Sequence, residues 1–207
     1  MSNKKQRINI VIGRFQPFTV GHKSLILNLY KENRLPCCIC YIDNKKTDNR
    51  HPFSNDLVEQ CIDASFTDKE KSKYLADIPY MKVKNANIVE IGQMLYDNNL
   101  EPVLLACGPD RYNSYKKMAD NPKYRDMGKL PDDFDVIVLD RDENSVSGTL
   151  TRKAIKDDDI ESINKMTDYS KNLTKQSFDI LIGELKERIN MVSEELCNLN
   201  EYIYIRK

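Results

Sequence analysis

INIVIGRFQPFTVGHKSLI, residues 8–26, sets an apolar run against a glycine, an arginine, a proline and a second glycine. Residues 8–12 read as a buried strand. Gly13 ends it, and a residue without a Cβ lets the backbone approach a ligand closely. Gly21 and His22 open a stretch with Leu25, Ile26, Leu29 and Tyr30 at helical spacing. The turn between strand and helix therefore carries Arg14 on one side and His22 on the other. Free N–H groups and the helix dipole attract anions to a helix N-terminus. The segment reads either as a phosphate cradle or as a basic, Gly/Pro-punctuated surface loop, and the rest of the chain decides.

The strand-then-helix pattern recurs. Strands are read at residues 7–13, 37–43, 80–84, 103–107 and 135–139, and helices at 23–33, 54–66, 88–98, 112–125 and from 150 onward. Ser54 is a plausible N-cap, with Leu57, Val58, Cys61 and Ile62 on one face of its helix. Residues 66–77 are polar, an exposed helix or loop. Runs such as VLLAC and VIVL are continuously apolar, as strands buried on both faces are. Alternation of this kind implies an α/β, Rossmann-like parallel five-stranded sheet with helices on both faces. Ligands bind beyond the carboxyl ends of such strands.

Composition shifts near Asp168. Beyond it, Leu181, Leu185, Ile189, Val192, Leu196 and Leu199 are spaced close to a heptad seam. The expected organisation is a domain at 1–168 and a C-terminal helical extension at 169–207. That helix either caps its own core or pairs in a homo-oligomer or with a protein partner.

Bulk properties exclude several classes. Lys+Arg and Asp+Glu are both 32 among 207 residues, so net charge gives no case for nonspecific nucleic-acid or membrane binding. No apolar stretch approaches the roughly 20 residues that span a bilayer, and MSNKKQR is not followed by a signal-type apolar segment. A cytoplasmic protein is expected. Six cysteines include no CxxC pair, and the histidines are His22 and His51. Buried reduced thiols are expected and no structural metal, with Cys38 and Cys40 on one strand face and Cys37 on the other.

Chemistry is expected after the strands. GRFQPFTVGH follows the first and DNKKTDNRHPFS the second, with Arg50 and His51 just before a helix. CGPDR follows the fourth, with Gly108 and Asp110. DRDENSVSGTLTRKAI follows the fifth: Ser147 and Gly148 precede a helix presenting Thr149, Arg152 and Lys153 near its start. Two helix N-termini and several cations directed at one ligand suit a nucleoside triphosphate. GxxxxGK[ST] and GxGxxG are absent, as are a paired-carboxylate set and a Ser/His/Asp elbow.

GRFQPFTVGH resembles the [HT]xGH signature of the nucleotidylyltransferase superfamily, and SGTLTR its SGTxxR signature. RHPF before a helix and CGPDR after a strand resemble elements of the nicotinamide-nucleotide adenylyltransferase branch, archaeal and phage-like forms especially. The resemblance covers residues 7–167, with insertions at 67–77 and 113–133. It implies direct adenylyl transfer: a substrate phosphate attacks the α-phosphorus of ATP and pyrophosphate leaves. It implies His22 at the phosphates near the reacting centre, Arg152 on the leaving β- and γ-phosphates, and the Gly13–Arg14–Phe15 backbone with Gly21 lining the phosphates. It further implies Gly108 and Asp110 at the ribose, and Ser147, Gly148 and Thr149 facing the nucleotide. Arg50 matches a phosphate-contacting arginine, and Phe18 and Phe53, with Phe15, are candidates for stacking on the acceptor. Mg²⁺ would travel with the ATP phosphates.

Thr19 stands where HxGH has its first histidine; it donates a hydrogen bond but carries no charge. TxGH members exist, notably the pantetheine-phosphate adenylyltransferases. Nicotinamide mononucleotide is the leading acceptor, giving NAD; pantetheine phosphate and flavin mononucleotide fit the same motifs. Taken singly, Arg14 reads equally as a loop brace, Arg50 as part of a solvated loop, Asp110 as a helix N-cap, and Arg141 as either. A second reading is a non-catalytic subunit of a larger, phage-type assembly, docked through the C-terminal helix and located in the particle.

Overall fold

The apolar runs form one parallel sheet in the computed structural model, which describes residues 4–43, 47, 48, 50–138 and 146–205, with side chains described through Ser193. The strands are β1 (Gln6–Gly13), β2 (Cys37–Ile42), β3 (Leu75–Val83), β4 (Leu100–Cys107) and β5 (Asp135–Val138). Their order is β3-β2-β1-β4-β5, and every pairing is parallel. The strand order reverses beside β1, which pairs with β2 on one side and β4 on the other. The fold is α/β and Rossmann-like, as the alternation predicts. Among the described residues no helix is long and apolar enough to cross a membrane.

The chain divides into two compact units. The first is Met1–Gly13, His22–Asp43 and Asp68–Ser145. It holds the sheet, most of α1 (Val20–Asn33), and α3 (Asp68–Tyr74), α4 (Ile88–Asp97), α5 (Pro109–Ala119) and α6 (Pro122–Met127). Ile8, Ile10, Cys38, Cys40, Leu105, Cys107 and Val136 share one sheet face, packed with Ile88, Ile91 and Leu95 of α4 and Tyr115 and Ala119 of α5. Successive side chains alternate across a strand, so Asn9 points the other way, toward α1. Its buried amide donates to the Asn33 side chain at 2.9 Å and to Leu35 O at 3.0 Å, and accepts from Asn33 Nδ2 at 2.8 Å. This polar pair fixes where α1 ends on the sheet.

Prolines in strands sit where a missing N–H is tolerated. Pro79 lies in the edge strand β3. Pro102 lies beside a register shift in β4, before the segment that pairs with β5. Cys37, Cys38, Cys40, Cys61 and Cys107 are free and buried, as expected.

Several boundaries differ from the sequence reading. α1 begins at Val20 rather than at residue 23. β3 begins at Leu75, not residue 80, because α3 delivers the chain directly into it. The helix expected at 112–125 is two helices, broken where Asn121 accepts from Lys123 N and Pro122 starts α6. Leu139 and Arg141 lie outside the described residues.

The second unit is Arg14–Gly21, Asn44–Thr67 and Val146–Lys207. Its helices are α2 (Asn55–Ala64), α7 (Gly148–Lys156), α8 (Ile160–Met166), α9 (Tyr169–Asn172) and α10 (Lys175–Ile205). Leu181, Leu185, Ile189 and Val192, the first part of the heptad seam, are buried, along with Phe178 and Ile182. α10 packs on α7 and α9 of its own unit. Residues on both sides of the expected 168/169 division lie in this one unit, and Tyr169 is among its fully buried side chains.

Burying one large apolar side chain contributes about 1.5–3 kcal/mol, against about 5–15 kcal/mol for a whole domain. A chain ending at residue 168 is therefore expected to lose the cooperative unfolding of this unit and to bind a hydrophobic dye. A truncated chain that unfolds at the full-length midpoint would show the division at 168 to be autonomous.

Candidate functional site

The residues singled out by sequence fall in both units. In the first, Gly13 ends β1 opposite Tyr41 in the register. His22 is the third residue of α1 and partly buried. Gly108 is the N-cap of α5 and makes no side-chain cap hydrogen bond; Pro109 follows at the start of the helix. Asp110 is thus the second helical residue and not the cap. Its exposed carboxylate pairs with Arg111 Nε at 3.5 Å. Burial pushes the Cys107 thiol up, and the Asp110 charge adds to the shift, which sets that carboxylate just past the end of β4.

The second unit assembles a cradle around the motif segment Arg14–Gly21. α7 is started by Ser147, whose Oγ accepts from Leu150 N at 3.1 Å. Thr151, Ala154 and Ile155 recur at helical spacing and are buried, so Arg152 is left at the rim of that face, half-buried. One turn back, Thr149 lies on the same side. Arg152 Nη2 donates to Thr149 Oγ1 at 3.1 Å, and Nη1 donates to the backbone carbonyl of Gln16 at 2.5 Å. Burial pulls the guanidinium down from its ordinary value, and the Asp48 carboxylate opposes that shift.

Gly148 makes this approach sterically feasible. A Cβ there would lie 2.6 Å from Gln16 O and 3.3 Å from its carbonyl carbon. Both are backbone atoms and cannot rotate away. Gly21 is different: a Cβ would meet Thr19 Oγ1 and Val146 O at 3.6 Å, an ordinary contact. The two glycines looked alike in the motif but are not alike in the fold.

The side chain of Gln16 does a second job. Its Nε2 donates to Phe53 O at 3.1 Å, and its Oε1 accepts from Phe53 N at 2.9 Å. The buried amide thus pairs with both backbone polar groups of one residue and ties GRFQPF to RHPF. Phe53 then precedes the Ser54 cap of α2, whose Oγ accepts from Leu57 N at 3.4 Å.

The RHPF turn is organised by Asp48. Its Oδ1 accepts from the N–H groups of Arg50 and His51, both at 2.8 Å, and its carboxylate lies 3.1 Å from His51 Nδ1. Burial pushes this carboxyl up, but the His51 ring and the two N–H groups outweigh it, and the net shift is down. Arg50 and Arg14 are exposed.

Phe18 and Phe53 are fully buried and Phe15 nearly so. Phe18 packs tilted against Phe15 at 5.4 Å and Phe66 at 5.9 Å. None of the three is exposed, and stacking on an acceptor stays a proposal for these rings. Their sequence signal, aromatics beside a phosphate motif, is shared by core and platform alike. Thr19, expected at the phosphates, is also buried, at 1 % exposure. Behind the loop, Tyr169 Oη donates to Phe18 O at 2.5 Å. Its burial pushes the phenol well up, with the Cys61 thiol adding to the shift.

Sequence reading missed Gln16, Asp48 and Tyr169. For Gln16 and Tyr169 no local signal exists, because their partners are 37 and 151 residues away. For Asp48 the D-x-R-H spacing was a turn signal lost in a charged run.

The chemistry on offer in this unit is anion binding: a braced guanidinium, a hydroxyl and the N-terminus of a nine-residue helix. Among the described residues, no group of three or more His, Cys, Asp or Glu gathers at metal distance.

No protein-family model matches the chain, and no curated protein does. Solved structures do. A bifunctional NMN adenylyltransferase/ADP ribose pyrophosphatase from Francisella tularensis is 15% identical, with TM-score 0.60 over 98% of this chain and 57% of that one. Plasmodium falciparum nicotinic acid mononucleotide adenylyltransferase complexed with APC is 16% identical, with TM-score 0.53 over 86% of this chain and 96% of that one. Thermotoga maritima TmcAL bound with alpha-thio ATP is 10% identical, with TM-score 0.51 over 87% of this chain and 56% of that one. The chain thus spans little more than half the length of the Francisella and Thermotoga proteins. These likenesses establish the fold.

The glycine geometry has a direct test. Gly148→Ala is expected to destabilise by about 1–3 kcal/mol, the usual cost of overpacking. Gly21→Ala, inside the first turn of α1, is expected to be neutral or up to about 1 kcal/mol stabilising. Urea unfolding of both variants decides it, and equal midpoints would refute the close approach of α7 to Gln16.

Proposed function

We propose that this chain is a nucleotidyltransferase that moves AMP from ATP to a phosphorylated acceptor, with nicotinamide mononucleotide as the leading acceptor, giving NAD and pyrophosphate. The observation that carries the reading is the Arg152 cradle: a half-buried cation held by a neutral carbonyl and a hydroxyl at the start of α7. Such a group keeps its charge for an incoming anion. Supporting it, GRFQPFTVGH leaves β1 where the strand order reverses, the place where open α/β sheets bind ligands. The Francisella and Plasmodium proteins that share the fold are named as adenylyltransferases of NMN and nicotinic acid mononucleotide.

In the reaction a phosphate oxygen of the acceptor bonds to the α-phosphorus. The bond from that phosphorus to the bridging oxygen breaks, and pyrophosphate takes the electron pair. The chain's part is positioning and charge stabilisation. Arg152 and the N–H groups of Gly148 and Thr149 bind the leaving phosphates. By the motif, His22 binds near the reacting centre, Gly13, Arg14 and Gly21 line the phosphates, Gly108 and Asp110 border the ribose, and Arg50 reaches the acceptor phosphate. Mg²⁺ would accompany ATP as its counter-ion and supply charge neutralisation there; the guanidinium and N–H donors of the cradle suit the phosphate oxygens rather than a metal. The described part of the heptad seam is consumed in the unit's own core, which weighs against docking through those residues.

Pyrophosphate release from Mg·ATP and nicotinamide mononucleotide is the test, with His22→Ala as blank. Release is expected, abolished in that variant, and lowered about 10²-fold or more in kcat by Arg152→Ala, the usual cost of one lost charge-stabilising group. Release with pantetheine phosphate or flavin mononucleotide instead would change the acceptor. No release with any of them, and no ATP binding by calorimetry, would sink the transferase reading.

A further inference from the structure

Arg152 is aimed by a backbone carbonyl, and a carbonyl is only as well placed as the loop that bears it. That loop runs through Phe15, whose φ of 49° lies in the left-handed region that bulky residues rarely adopt. Something must hold it there. Buried aromatic packing of Phe15 and Phe18 contributes from one side, and Tyr169 holds the Phe18 carbonyl from behind. The Gln16 side chain adds a two-point pairing of its amide with the N–H and carbonyl of Phe53.

We propose that Gln16 is a positioning residue for nucleotide binding: its side chain pins the loop to Phe53, and its carbonyl, so pinned, sets the stance of Arg152. This rests on the reading of Arg152 as a phosphate ligand. Any substitution at residue 16 keeps the carbonyl, so a variant removes only the pin. The guanidinium has five N–H donors. Two are spent on Gln16 O and Thr149 Oγ1, and among the described residues the others have no protein acceptor. The bond to Gln16 therefore decides which way those donors face. It also explains Gly148, since the helix must come within van der Waals distance of the same carbonyl. The pin couples two motifs as well. Phe53 adjoins the turn built on Asp48, so the position of Arg50 and that of Arg152 are set by one amide.

Two variants test it. Gln16→Met keeps the length and loses both hydrogen bonds. Gln16→Glu keeps the acceptor and loses the donor while ionised; when protonated, its carboxyl has the donor and acceptor of the amide. Burial raises a carboxyl pKa, so protonation falls in a workable range. Steady-state rates are measured with Mg·ATP and nicotinamide mononucleotide, alongside calorimetric binding of inorganic tripolyphosphate, on protein shown folded by circular dichroism. In Gln16→Met the KM for ATP is expected to rise about tenfold, a modest misplacement penalty, with tripolyphosphate affinity falling in step and the acceptor KM unchanged. In Gln16→Glu the ratio of variant to wild-type KM for ATP is expected to fall toward one as pH is lowered, the wild type serving at each pH to cancel titration of ATP. A merely structural role would lower the folded fraction and leave KM alone.

Unchanged ATP KM and tripolyphosphate affinity in folded Gln16→Met would overturn the proposal while leaving the transferase reading intact. Should Gln16→Met not fold, a flat pH ratio in Gln16→Glu overturns it equally. A wild-type protein that binds neither ATP nor tripolyphosphate would overturn the function and this role together.

Discussion

A half-buried guanidinium that donates to a backbone carbonyl is the constraint on which the second unit is built. Burying a charge is costly unless it is hydrogen-bonded, and a carboxylate partner is the usual remedy. Here the close acceptors of Arg152 are neutral, Gln16 O and Thr149 Oγ1. Asp48 acts on it only as a secondary, opposing charge, outweighed by burial. The cation is thus held in place without being neutralised. Once the carbonyl must approach α7, the helix cannot carry a side chain at Gly148, and Ser147 must cap it one residue earlier. The SGT sequence follows from that geometry before any ligand is considered.

The same loop needs support from the opposite side, and the support comes from late in the chain. Tyr169 buries its ring and donates a hydrogen bond from its hydroxyl to Phe18 O, next to the Cys61 thiol. A buried phenol without a partner would be destabilising, so the tyrosine and the loop carbonyl satisfy each other. α10 packs on α7 and α9, and its Phe178, Leu181, Ile182 and Leu185 are buried. The C-terminal helix is in this sense a component of the motif's scaffold. Over its described part, Leu181 to Val192, the heptad-like stripe is buried, and a helix facing two neighbours buries the same stripe that a coiled coil does.

The legible parts of the molecule were the local ones. Five apolar runs separated by amphipathic helices forced a parallel sheet, and the caps at Ser54 and Ser147 stood in the sequence as small hydroxyl residues before an apolar periodicity. The break between α5 and α6 was also legible, as Asn121 followed by Pro122, and was overrun because polar helices on either side share one composition. β3 was truncated in the reading because its first half, LADIP, holds an aspartate and an edge-tolerated proline. What could not be read was long-range. Gln16 gives no sign of pairing with Phe53, nor Asn9 of meeting Asn33, because a polar residue next to an apolar run reads the same whether it is paired or solvated. The aromatics were ambiguous for a related reason: a phenylalanine near a phosphate motif carries no mark of which side of the loop it faces.

Thr19 gains a different meaning from its surroundings. In the motif it replaces a histidine, and on charge alone that is a loss. In the structure the position is 1 % exposed, and the Thr19 hydroxyl lies at van der Waals distance from where a side chain on Gly21 would begin. A histidine confined there would be desolvated, and desolvation lowers the pKa of an imidazole. Burial would thus work against the positive charge a histidine brings to a phosphate. Threonine is β-branched, stiff at χ1 and small enough for such a site, and its hydroxyl still donates. A cation does stand nearby in the unit, where burial is only partial and a carbonyl steadies it, at Arg152. On the proposed reading, the departure from HxGH puts a small neutral hydroxyl at residue 19, while the cation of the cradle is Arg152, steadied by Gln16 O and Thr149 Oγ1.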